Sequence, residues 1–404
     1  MKILVLTSTF PRNKNDWWGQ FVLNIYRNLD KNKYSTTVLA PHDPSAKIIE
    51  EIDGIKVRRF VYFYPYSFQV LTSGEGILYS VRKNWLSKFQ ILTFILVELV
   101  VTLNALIKEK FDIVHAHWLL PQGLVAVIAK FIFRKPVIVT VHGSDIFGLR
   151  KLNFLKKFVL KHCNVCTVNS RSTFEAVKRL YPKTNIDLIP MGVDSEMFNA
   201  KKIDRKWQKE FGNNSKIILT VGRLIRWKGF EYLIRSFPYV LSKFPNSKLI
   251  IVGSGSEEQS LKKLASELSL DINENLFFLG NIAHKELSHI YASSDVFVSS
   301  SITYSETGEK EGQGLVVLEA LACGLPVVAS NSGGIIDMID GKSTGLLFKE
   351  KDYIDLSKKI IYILSNDKIG KKFSENGIRL VENRYTWKKI GHKFSELYNN
   401  TIYG

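Results

Sequence analysis

The chain has 404 residues, of which 45% are apolar and 23% charged, the balance of a folded globular protein. At roughly 100–200 residues per domain, this length predicts two domains or a few, each with its own core. The 56 Lys and Arg outnumber the 38 Asp and Glu, for a net charge of +18. That excludes an acidic solvating protein and points to an anionic partner: nucleic acid, a membrane surface or phosphorylated substrates.

The surplus is uneven. Residues 1–200 carry 27 basic and 15 acidic side chains, and residues 201–404 carry 29 and 23. Two stretches of the first half contain no acid: 76–97, with Arg82, Lys83 and Lys88, and 146–174, with Arg150, Lys151, Lys156, Lys157, Lys161 and Arg171. Three cysteines are too few for a disulfide scaffold and predict a reducing compartment. Cys163 and Cys166 are spaced C-x-x-C, but side chains three apart in an extended run face opposite ways, so buried thiols are expected rather than redox or zinc chemistry.

In chain order, Lys2–Thr7 predicts a strand; its apolar run, Ile3–Leu6, is too short for a signal peptide. A loop and a helical pattern from about residue 21 follow. The most apolar stretch, Ile91–Ile107, includes Thr93, Glu98, Thr102 and Asn104; it is too short and polar for a spanning helix and predicts a buried crossover helix. Short apolar strands are expected at Asp112–His115, Pro136–Val141, Asn164–Val168 and Asp187–Pro190, as in a parallel sheet covered on both faces. Around 195–215 the pattern loosens into a polar, Lys-rich stretch. A second series then begins: strands at Lys216–Val221, Lys248–Val252, Leu276–Leu279, Val296–Ser299 and Pro326–Ser330, with a helix near Glu231–Lys243. Two βα series predict an α/β protein of two doubly wound, Rossmann-like domains, 1–196 and 197–385, with ligands in a cleft at the carboxyl ends of the strands. The last helical pattern, 386–404, fits packing on either domain.

Three segments of the second half could carry chemistry. Gly222-Arg223 follows a strand, and Lys228-Gly229 precedes a helix. A glycine loop and a helix N-terminus suit a phosphate, and two cations suit a diphosphate, although two solvated basic residues at a turn fit the same pattern. Gly253-Ser254-Gly255 is half of a dinucleotide fingerprint; without a third glycine a tight strand–helix turn is the better reading. Glu311-Gly-Gln-Gly314-Leu315-Val316-Val-Leu-Glu319 would open a backbone loop at a helix N-terminus, where the Leu315 and Val316 amides could cap an anion. A carboxylate is also suited to accept two hydrogen bonds from a sugar diol.

Taken together these motifs resemble those of a family 4 glycosyltransferase of the GT-B class. The Glu311…Glu319 spacing, Ala322-Cys-Gly-Leu-Pro-Val-Val-Ala-Ser330, Ser332-Gly333-Gly334 and Gly222-Arg223…Lys228-Gly229 carry the resemblance, with Met191-Gly192-Val193-Asp194 at the entry to the linker. The resemblance implies a nucleotide-sugar donor held by the second domain. Arg223 and Lys228 would bind its diphosphate, Glu319 the ribose hydroxyls, Gly314-Leu315-Val316 the phosphates, and Glu311 would lie near the transferred sugar. It implies transfer with retention and no catalytic metal or other cofactor; the chain has no Asp-x-Asp. In the first half, Asp16-Trp17-Trp18-Gly19-Gln20 matches a phosphate-side loop. His142, in Thr140-Val-His-Gly143-Ser-Asp145, matches the position that contacts the reacting sugar. His115, His117 and Asp145 are expected on the acceptor side.

An epimerase or phosphorylase of the same architecture is the alternative. No zinc-finger, RRM or KH pattern supports a nucleic-acid partner. Arg150–Lys161 places Leu152, Leu155 and Val159 on one helical face with Lys156, Lys157 and Lys161 around it, and the other acid-free stretch adds Trp85, Leu86 and Phe89 beside its basic residues; this fits either a helix packed on the sheet or peripheral attachment to an anionic membrane. The expected setting is cytoplasmic, at the inner membrane face, with a glycan or lipid-linked glycan acceptor.

Overall fold

The computed structural model describes the chain except residues 15, 17, 73–76, 78, 79, 82, 83, 203, 213, 214 and 307, and the side chains of 205, 206 and 208. Trp17, Arg82 and Lys83, singled out above, lie outside the described residues. The chain divides into two compact units: Met1–Pro190 with Trp387–Gly404, and Met191–Thr386.

The first unit is built on β1 (Lys2–Leu6), β2 (Ser35–Pro41), β3 (Ile49–Ile52), β4 (Ile55–Phe60), β5 (Ile113–His117), β6 (Val137–Val141), β7 (Val165–Val168) and β8 (Ile186–Leu188). They form one sheet in the order β3-β4-β2-β1-β5-β6-β7-β8, parallel except for the β3–β4 pair. The order reverses between β1 and β5. All five residues of β5 and of β6 are buried, as strands covered by helices on both faces must be. The terminal helix Trp387–Tyr403 belongs to this unit and buries Phe394 and Tyr398.

The second unit carries β9 (Ile217–Val221), β10 (Lys248–Val252), β11 (Leu276–Phe278), β12 (Val296–Ser299), β13 (Val327–Ser330) and β14 (Gly345–Phe348). The strand pairs are parallel and ordered β11-β10-β9-β12-β13-β14, reversing between β9 and β12. Residues 191–196 group with this unit: the Met191 amide donates to Gln313 Oε1 at 2.7 Å, and Val193 is bridged to Thr386.

One expectation fails. The apolar stretch around Ile91–Ile107 does form a helix, Trp85–Lys108, capped by Asn84, but it is not buried. Its polar residues face inward: Ser87, Gln90, Glu98 and Thr102 have no exposed surface, while Trp85, Phe89, Leu92 and Leu96 are at least 60% exposed. The reason lies in its interior partners. Gln90 accepts from the Val70 amide at 3.2 Å, and Glu98 accepts from Gln122 Nε2 at 3.2 Å. These hydrogen bonds hold the polar stripe against the sheet and turn the apolar stripe outward.

The segment 150–161 also differs from its expected placement. Val159 packs into the core, Leu152 and Leu155 are half-buried, and Lys156 is completely buried rather than solvated. Its ammonium donates to the Ile146 carbonyl at 3.2 Å and to the Gly148 carbonyl, and burial lowers it to about 8. Cys166 is buried and Cys163 half-buried; burial pushes the Cys163 thiol up to about 12, so both are inert packing thiols.

Burial pushes Glu98 up to about 8 against the pull of Gln122. The folded state therefore keeps a proton there that the unfolded chain releases near the ordinary carboxylate value, and Glu98 weakens the fold as pH rises from about 4.5 to about 8. In Glu98→Gln, thermal melts at pH 8 are expected to rise above those of the parent, with the gap closing toward pH 5.

Candidate functional site

In the second unit the candidate residues gather where strand order reverses, the place at which a doubly wound sheet opens a crevice beyond its strand ends. The loop after β9 carries Arg223, half-buried, and then Lys228 at the start of helix Phe230–Lys243. The loop after β12 carries Ser301 and Glu311, and ends at Gly314, from which helix Leu315–Ala322 begins.

These loops are pressed together. A Cβ on Gly229 would stand 2.1 Å from the Ser300 carbonyl oxygen, and one on Gly333 would stand 2.3 Å from that of Glu311, so both positions need glycine. The Gly334 amide donates to the Glu311 carbonyl at 3.1 Å. Lys228 Nζ donates to Glu311 Oε2 at 2.5 Å, and Ser301 Oγ donates to the same oxygen at 3.3 Å. The pair is largely buried, at 14% and 11% side-chain exposure, where charge–charge attraction is stronger than at an open surface. The ammonium also lies 4.7 Å from the centre of the Trp227 ring.

Helix Leu315–Ala322 presents the first-turn amides of Leu315 and Val316, which have no partner within the helix by its own geometry. One turn on, Glu319 Oε2 accepts from the Tyr291 hydroxyl at 2.9 Å. That hydroxyl lies 3.2 Å from the Val316 carbonyl, so Tyr291 fixes Glu319 relative to the helix start. Burial pushes the Glu319 carboxyl above its ordinary value, against the pull of His284 and Tyr291. The glycines of 253–255 make the tight turn expected of them: the Gly253 amide reaches across to the Gly280 carbonyl at 2.7 Å, and the Leu224 amide donates to the Ser254 carbonyl at 2.9 Å.

In the first unit, Gly19 begins helix Gln20–Arg27 after β1, and the histidines follow β5 and β6. They form one hydrogen-bonded chain. Tyr26 Oη lies 2.8 Å from His115 Nδ1 and 2.7 Å from His117 Nε2. His115 Nε2 lies 2.7 Å from Thr140 Oγ1, and its Nδ1 lies 2.7 Å from Tyr398 Oη on the terminal helix. His117 Nδ1 lies 3.0 Å from His142 Nε2, with the two rings stacked 5.2 Å apart. Phe21 and Trp118 close on His142 at 5.0 and 4.8 Å.

Burial lowers His115 and His142 to about 3, and His117 falls well below its ordinary value for the same reason. A neutral imidazole has one donor and one acceptor nitrogen. The proton position on His117 therefore dictates that on His142: when Tyr26 donates to His117 Nε2, His117 donates to His142 Nε2, and His142 carries its proton on Nδ1. His115 and His117 are completely buried, and only His142 at the end of this chain is partly exposed.

Asp145 is committed to the backbone. It accepts from the amides of His142 at 3.1 Å, Gly143 at 3.0 Å and Leu119 at 3.0 Å, which shapes the turn that presents His142. Lys156 supports the same turn from below. Tyr26, Tyr398 and Tyr291 carried no recognisable signal in the sequence, because each acts through a partner far away along the chain. Among the described residues no group of three or more His, Cys, Asp or Glu side chains is arranged to hold a metal ion.

Comparison with known proteins agrees with this geometry. Residues 19–197 match the family described as Glycosyltransferase Family 4, and residues 201–380 match Glycosyl transferases group 1. The chain is 29% identical over 286 residues to the GDP-mannose-dependent monoacylated alpha-(1-6)-phosphatidylinositol monomannoside mannosyltransferase of Corynebacterium glutamicum, covering 69% of this chain and 73% of that protein. Sucrose-phosphate synthase from Thermosynechococcus elongatus superposes with a TM-score of 0.81 at 21% identity, over 99% of this chain and 98% of that one. Anabaena HepE in complex with UDP-glucose superposes with a TM-score of 0.76 at 19% identity, over 99% and 100%. The chain belongs to the family 4 glycosyltransferases, enzymes built on the two Rossmann-like units of the GT-B fold.

The histidine chain has a consequence for stability. In the unfolded chain an imidazole binds a proton near pH 6.5, whereas folded His115 does so only near 3. The unfolded state thus holds more protons across this window, and stability falls as pH drops from about 6.5. Urea unfolding at stepped pH is expected to show this decline, and in His115→Gln its slope is expected to lessen by up to one proton, about 1.4 kcal/mol per pH unit.

Proposed function

We propose that the chain is a retaining glycosyltransferase that moves a sugar from a nucleotide-diphosphate sugar to a hydroxyl of a glycan or lipid-linked glycan precursor, on the cytoplasmic side of the membrane and without a catalytic metal. The observation that carries this reading is the convergence of Lys228, Glu311 and the start of helix Leu315–Ala322 at the reversal of strand order in the second unit. The corynebacterial relative is named for GDP-mannose and the Anabaena structure holds UDP-glucose, which supports a nucleotide-diphosphate sugar as donor.

In this reading the bond between the sugar and the diphosphate breaks, and negative charge grows on the leaving phosphate. Arg223, Lys228 and the amides of Leu315 and Val316 neutralise it, the part that a divalent cation plays elsewhere. Glu311 aims the Lys228 ammonium and lies beside the transferred sugar. Glu319, held by Tyr291, accepts hydrogen bonds from the ribose hydroxyls with its remaining lone pairs. In the first unit, neutral His142 offers hydrogen bonds to sugar hydroxyls, while His115, His117 and Asp145 hold it in place. The acceptor hydroxyl attacks on the face the diphosphate leaves, and its proton passes to the departing phosphate oxygen.

Two variants test the assignment. Lys228→Ala is expected to lower the single-turnover transfer rate at saturating donor by roughly 100-fold or more while circular dichroism stays unchanged; near-normal turnover would remove Lys228 from the site. Glu319→Gln keeps an acceptor for Tyr291 yet accepts ribose hydroxyls less well. Calorimetry is expected to show nucleoside diphosphate affinity reduced about tenfold, and an unchanged Kd contradicts the ribose role.

A further inference from the structure

Helix Trp85–Lys108 is inside out for a protein surrounded only by water. Its exposed stripe runs Trp85, Phe89, Leu92, Leu96, Val100 and Ile107, each between 55% and 78% exposed. The spacing follows the helical repeat, and the stripe is about 33 Å long. Its buried stripe mixes the polar Ser87, Gln90, Glu98 and Thr102 with Phe94, Ala105 and Leu106. The helix Leu124–Phe133 packs beside it, and Asn153–His162 packs beside that one. These neighbours add Phe131, Ile132 and Phe154, exposed by 57%, 58% and 66%. Phe131 rests on Phe158 and His162, so the apolar surface continues from one helix to the next. Exposed apolar side chains gathered on three adjoining helices mark an interaction site.

The charges choose the occupant. Exposed Lys88, Lys108, Arg134, Lys157 and Lys161 border the face. The only acid on the three helices is Glu98, buried beneath it. A second copy would bring a like-charged face, which repels. The helix is long and apolar enough to cross a membrane by length and composition. Its inward side chains, however, are hydrogen-bonded into the sheet's own loops through Val70 and Gln122, so it lies along the unit.

We propose that these three helices form a docking face for an anionic lipid bilayer. The stripe Trp85–Ile107 sinks into the boundary between headgroups and acyl chains, and the bordering lysines and Arg134 meet the lipid phosphates. The attachment is monotopic, with Trp85 at the interfacial level. Of the two basic stretches read from the sequence, the contact centres on the helix Trp85–Lys108, with Phe154, Lys157 and Lys161 of the other at its edge. The inference rests on exposure and charge alone and does not depend on the transferase reading.

Sedimentation of the full-length protein with vesicles tests it without any substrate. The protein is expected to pellet with vesicles of equal parts phosphatidylcholine and phosphatidylglycerol, and less with phosphatidylcholine alone. The triple variant Phe89→Gln, Leu92→Gln, Leu96→Gln changes only exposed side chains. It is expected to keep the parent melting profile and to lose about tenfold or more of its partition. In Lys157→Gln, Lys161→Gln, the preference for anionic vesicles is expected to shrink. Parent protein that stays in the supernatant with both vesicle types, or a triple variant that binds like the parent, overturns the proposal. Sedimentation velocity showing a dimer that the triple variant abolishes, with no vesicle binding, also overturns it and assigns the face to a second copy.

Discussion

Everything in this protein that can meet a ligand depends on the parallel pairing of buried strands. β5, β6 and β12 are buried along their whole length, so they offer no side chain to solvent until they end. A parallel sheet also sends all its chain exits to one edge. Where the order reverses, between β1 and β5 and between β9 and β12, neighbouring loops diverge and leave a crevice. Lys228 and Glu311 sit at one such point, and His142 follows a strand at the other sheet's corresponding edge.

Buried polar groups then fix these side chains. Each unit uses a tyrosine to do so: Tyr291 holds Glu319, and Tyr26 links His117 to His115. A buried polar atom without a partner costs on the order of 1–3 kcal/mol, so such chains are either complete or destabilising. The histidine chain extends to Tyr398, and the terminal helix is thereby coupled to the turn bearing His142. Asp145 and Lys156 brace that turn from the other side. Burial keeps all three imidazoles neutral, which suits donating and accepting hydrogen bonds with sugar hydroxyls better than pairing with charge.

The helix Trp85–Lys108 obeys the same rule with its sides exchanged. Gln90 and Glu98 find partners inside, and a stripe of apolar residues is left for a surface other than water. The net charge of +18 takes on a location in consequence. A few cations gather at the strand-order reversal of the more neutral half, and others border an apolar face of the first unit.

Only the family resemblance implied that Lys228 and the Glu311–Glu319 segment share a site; the sequence by itself determined the α/β class, ten of the strands and the glycine-bearing loops. These are legible because strand periodicity and loop glycines are local properties of the chain. It missed β2, β3, β4 and β14; the apolar patterns of β3 and β4 are interrupted by residues such as Glu50 and Arg58, and β14 is only four residues long. It also placed Lys156 in water and the Ile91–Ile107 stretch in the core. Only tertiary structure decided those: Lys156 turns inward to the Gly148 carbonyl eight residues back, and Glu98 and His115 take partners distant in sequence, Gln122 and Tyr398. A hydrophobic pattern states that a helix has an apolar face; which way that face turns is set by where the polar face finds its hydrogen bonds.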